Sequence, residues 1–67
     1  MSWRYDFSFV MTRSGLDFIA EFLINRGYEV VEKSSGYIVL NTQVSNLHKT
    51  QFRDSITSLV IRESEVT

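Results

Sequence analysis

The sequence predicts a small two-layer α+β domain with the order β-α-β-β-α and an optional short final strand. This is the split βαβ plan of a ferredoxin-like sheet, cut short. Three observations carry that expectation. Residues 3–12 alternate apolar and polar with period 2, residues 14–26 repeat at helical spacing, and a Ser-Ser-Gly turn divides two β-rich stretches.

Each element has a local reason. Trp3, Tyr5, Phe7, Phe9 and Met11 share one parity, while Arg4, Asp6, Ser8 and Thr12 share the other. That pattern predicts a half-buried strand with one aromatic face. Ser14 followed by Asp17 has the spacing of a capping box, and Gly27 after Arg26 reads as the helix stop. With Arg26 as the last capping residue, Tyr28 would fold back on Leu23. Residues 28–33 and 37–42 predict a hairpin through Ser34-Ser35-Gly36. Ser45 is positioned to cap a second helix carrying Phe52, Ile56, Leu59 and Val60, although Leu59-Val60-Ile61 also reads as a short fourth strand. Residues 63–67 are expected to fray. The expected core is Trp3, Tyr5, Phe7, Phe9, Leu16, Ile19, Leu23, Val30, Ile38, Leu40, Phe52, Ile56 and Leu59.

Length and composition exclude several function classes. Sixty-seven residues make one small domain, 1–67, with no room for a second core or a dinucleotide fold. No Cys and one His remove thiolate chemistry, disulfides and Cys- or His-rich metal sites. Neither a metal nor a cofactor is expected. Seven Lys and Arg against eight Asp and Glu argue against duplex nucleic-acid binding driven by bulk charge. The sequence has no signal-peptide pattern and no apolar run near the ~20 residues that span a bilayer. The expected compartment is the cytoplasm, with no membrane partner. There is no phosphate-loop or His-Glu-x-x-His motif, and His48 has no evident carboxylate to orient it. No catalytic residue and no small-molecule substrate are expected.

The first helix is unusual. Asp17, Glu21 and Asn25 fill one narrow sector, and Leu16, Phe18, Ile19, Ala20, Phe22, Leu23 and Ile24 occupy most of the rest. A helix on a small sheet needs an apolar stripe a little over about 100° wide, and this one has roughly twice that. Phe18, Phe22 and Ile24, rimmed by Asp17 and Glu21, are therefore the candidate partner-binding residues, unless the second helix covers them. The first strand, if left at the sheet edge, is a second candidate surface. The sequence is read as a self-associating protein-interaction module of inhibitor or adaptor type. A phage or plasmid accessory regulator is a setting that suits a chain of this kind. The alternative is a small RNA- or DNA-binding regulator using Lys33, Lys49, Arg53 and Arg13.

A helix ending Asn25-Arg26-Gly27-Tyr28, a hairpin through Ser35-Gly36-Tyr37 and a basic-led helix at Leu47-His48-Lys49 together resemble HicA-type toxins. The resemblance covers Leu16 to Leu59. It implies a fold like the double-stranded RNA-binding domain and a messenger-RNA nuclease with a histidine just after the hairpin glycine. Tyr37 stands at that place, which puts nuclease chemistry of that type in doubt, and the leading aromatic strand lies outside the resemblance.

Overall fold

A computed structural model describes residues 1–7, 13–55 and 61–66. Its elements run β1 (Ser2–Phe7), α1 (Arg13–Ile24), β2 (Val30–Ser34), β3 (Tyr37–Leu40), α2 (Asn46–Ser55) and β4 (Ile61–Val66). The sheet order is β2-β3-β1-β4, antiparallel throughout. Both helices pack on one face, which gives the expected two-layer α+β sandwich.

The sheet is not cut short. β4 pairs with β1 over its whole length, from Ser2 opposite Val66 to Phe7 opposite Ile61. One expectation changes as a result: residues 63–66 are strand rather than a frayed end. Of the two alternatives for β1, a free edge or cover by a final strand, the structure takes the second. The sheet edges are β2 and β4. β1, not a later strand, extends the β2–β3 hairpin on its β3 side. Phe9, Met11, Ile56, Leu59 and Val60, all singled out from the sequence, lie outside the described residues.

The alternation along β1 sorts its side chains as expected. Tyr5 and Phe7 are buried and Trp3 packs beside them, while Arg4 and Asp6 take the open face. On β3, Ile38 and Leu40 are fully buried and Tyr37 and Val39 are half-buried. Leu16, Ile19, Ala20 and Leu23 of α1 close the core with Val44 and Phe52. Val30 is half-buried at its margin.

The end of α1 follows the sequence closely. Tyr28 N–H reaches back to Leu23 C=O (3.2 Å) and Gly27 N–H to Ile24 C=O (2.9 Å), with Gly27 at φ 94°. This pair of hydrogen bonds is the Schellman stop, with Arg26 as the capping residue. The start of α1 differs from expectation. Its first residue is Arg13, so Ser14 lies within the first turn, and the carboxylate of Asp17 pairs with Lys33 of β2. Ser45 does cap α2, accepting from His48 N–H at 3.3 Å.

A Cβ added at Gly27 would meet nothing within 4 Å. Gly27→Ala is therefore expected to destabilise through backbone conformation alone, by about 1–2 kcal/mol. Urea unfolding checks this, and an unchanged midpoint would mean that the left-handed stop is dispensable.

Candidate interaction surface

The two flanks of α1 have different fates. At about 100° per residue, Phe18 and Phe22 lie on one flank, and Ile24 lies on the other with Asp17. The polar strip of Glu21 and Asn25 runs between them. Phe22 faces α2, and its ring meets Phe52 edge-on at 5.4 Å. The Arg26 guanidinium covers the same ring at 3.5 Å, then bonds Gln51 Oε1 (3.1 Å) and the Phe22 carbonyl (3.1 Å). Phe22 is thus half-buried and belongs to the helix–helix contact. Phe18 and Ile24 are not covered. They are 60% and 49% exposed, respectively. The three residues expected as one surface are therefore split, and the exposed aromatic is Phe18. Glu21 is exposed beside it, while Asp17 is tied to Lys33.

The four basic residues of the alternative reading do not meet. Arg13 and Lys33 line a shallow depression of about 680 Å³ between the start of α1 and the hairpin turn. Lys49 and Arg53 line a different cavity, of about 310 Å³, beneath α2. Two of the four charges are already matched, Lys33 by Asp17 and Lys49 by Glu63 at 3.0 Å. On the open face of the sheet, Arg4, Asp6, Tyr37 and Glu32 engage one another. Arg4 grips Asp6 with paired bonds of 2.9–3.0 Å and stacks 3.8 Å above the Tyr37 ring. The Tyr37 hydroxyl donates in turn to Glu32.

A polar cluster that the sequence did not reveal lies between β1, β4 and α2. The Tyr5 hydroxyl donates to Glu63 Oε1 at 2.6 Å and accepts from Val44 N–H at 3.0 Å. Glu63 Oε2 also receives Lys49 Nζ (3.0 Å) and Gln43 Nε2 (3.3 Å). Burial pushes the Tyr5 phenol well above its ordinary value, and its bond to the carboxylate adds to that. Burial acts upward on the Glu63 carboxyl too. The bonds from Tyr5, Lys49 and Gln43 outweigh it, and the group ends below its usual value. Tyr5 and Glu63 are 58 residues apart, and no local pattern in either segment marks the pairing.

His48 has a structural partner. Its Nδ1 lies 2.8 Å from the Tyr28 hydroxyl, which also accepts from Ser45 N–H at 2.8 Å. The direction of the Tyr28–His48 bond follows the imidazole tautomer. The pair fixes the start of α2 against the end of α1.

Among the described residues no group of three or more His, Asp and Glu side chains could hold a metal ion. No described helix is long and apolar enough to cross a membrane. Comparison of the chain with protein-family models, with curated proteins and with solved structures finds no match.

Proposed function

We propose that this domain is a non-enzymatic protein-interaction module, of inhibitor or adaptor type, that pairs with a second copy of itself through α1. The observation that carries the reading is the exposure of Phe18, 60%, on a helix whose other aromatic is covered by α2. Exposed aromatic surface on a small domain is costly in water and commonly marks a contact site. A standard interface takes about 800 Å² from each partner. The chain exposes 4462 Å² in all, so an interface of that size would take roughly a fifth of its surface. Glu21 would sit at the rim, where charge affects encounter rate more than affinity. β4 occupies the outer edge of β1, so the contact does not run through that strand. A Cys-free sequence suits a cytoplasmic regulator.

The nucleic-acid reading has less behind it, since its four basic residues are divided and half of them neutralised within the fold.

Phe18→Glu tests the proposal with little cost to the core. The expected result is a monomer by light scattering, with unchanged circular dichroism. A folded Phe18→Glu variant that still self-associates would remove α1 from the account. Phe22→Glu is the contrasting variant and is expected to damage the fold, because that ring packs against Phe52.

A further inference from the structure

β4, like β2 at the opposite edge of the sheet, carries no fully buried side chain. Five of its six residues are exposed, and only Ile61 is half-buried. None of the ten buried core residues belongs to it. What keeps it in place is the backbone ladder to β1, the Ser2 hydroxyl donating to the Val66 carbonyl at 3.0 Å, Ile61 at the core margin, and above all Glu63. That carboxylate collects three donors from three separate parts of the fold: Tyr5 on β1, Gln43 before α2, and Lys49 on α2.

We propose that β4 is a releasable strap latched by Glu63, which detaches from β1 as a unit while the remaining three strands and both helices stay folded. The physical basis is the distribution of burial. Local opening is governed by the apolar surface and hydrogen bonds that it exposes. Releasing β4 exposes almost no apolar side chain from the strand itself. Ile19, Ile38 and Leu40, the fully buried residues, lie on α1 and β3 and keep their contacts with each other. Val44 N–H keeps the Tyr5 hydroxyl as its partner. Release has two consequences. The outer backbone groups of Ser2–Phe7 become a free strand edge, open to an added strand. The cavity against Tyr5 and Phe7 also loses the side formed by Ile61 and Glu63.

Amide hydrogen exchange on the full chain at neutral pH tests this directly. In the wild type, the β4 amides and the β1 amides bonded to them are expected to share one opening, faster than that of the β3 and α1 amides. Glu63→Gln should accelerate that opening on the order of tenfold or more, leaving β3 and α1 protection unchanged. Lys49→Met, which removes one donor and leaves Tyr5 in place, should give the same pattern with a smaller change. The proposal is overturned if wild-type β4 amides exchange only together with those of β3 and α1. It is equally overturned if both variants accelerate all amides alike. The wild-type profile decides the first point even where a variant fails to fold.

Discussion

Leu40→Ala is expected to leave the domain largely unfolded at room temperature. Leu40 is fully buried, and its strand neighbours Trp3 and Val30 pair with it on either side. Truncating a leucine in such a site costs about 2–5 kcal/mol, because the surroundings cannot collapse fully into the cavity. A single core in a domain this small rarely supplies more than about 3–5 kcal/mol in total. The loss and the whole stability are therefore of the same size. Far-UV circular dichroism with urea titration reads the outcome. A cooperative transition near the wild-type midpoint would place Leu40 outside the core. Ile38→Val, at an equally buried position, serves as a calibration and should cost only about 0.5–1.5 kcal/mol.

Tyr5→Phe is expected to produce the second-largest loss, about 1–3 kcal/mol. Phenylalanine keeps the ring and its packing, so the loss comes from polar groups. Val44 N–H loses its acceptor and Glu63 loses a short hydrogen bond. The same change alters the pH dependence. Glu63 lies below its ordinary carboxyl value in the fold, so its contribution to stability is present above 4.5, the ordinary value. That contribution declines as pH falls through the lowered folded value. Tyr5 has the opposite sign. Its phenol is raised above the ordinary value of 10.0, so its contribution is present below pH 10 and is lost as pH rises through the folded value. The wild type should thus lose stability at both extremes. Tyr5→Phe should flatten the alkaline loss and weaken the acid one. Parallel pH profiles for the two proteins would mean that the Tyr5–Glu63 bond carries no energy.

Much of the fold was legible because its signals are local. The parity of Tyr5 and Phe7 in β1, the Arg26-Gly27-Tyr28 stop of α1 and the Ser45 cap of α2 each follow from a few neighbouring residues. The final strand was legible only as an option at Leu59-Val60-Ile61, and the extent of β4 was hidden for the opposite reason. Ile61-Arg62-Glu63-Ser64-Glu65-Val66 has apolar residues only at its ends, and its strand conformation depends on a ladder to residues at the far end of the chain. Glu63 read as part of a polar tail because its three donors come from sequence positions 5, 43 and 49. The candidate surface was legible only in part. Helical spacing puts Phe18 and Phe22 on the same flank, and nothing in that spacing says which of them α2 covers. The position of Phe52 decides it, and that position is tertiary.

The central claim is that the exposed flank of α1 is used by the protein on itself. The most direct measurement is light scattering on a size-exclusion column, run on the wild type across micromolar concentrations at low and high salt. The account predicts a species near twice 7.8 kDa that persists at high salt, since an apolar contact is not screened. A monomer at every concentration and salt would contradict it, and the exposed Phe18 would then need a different explanation.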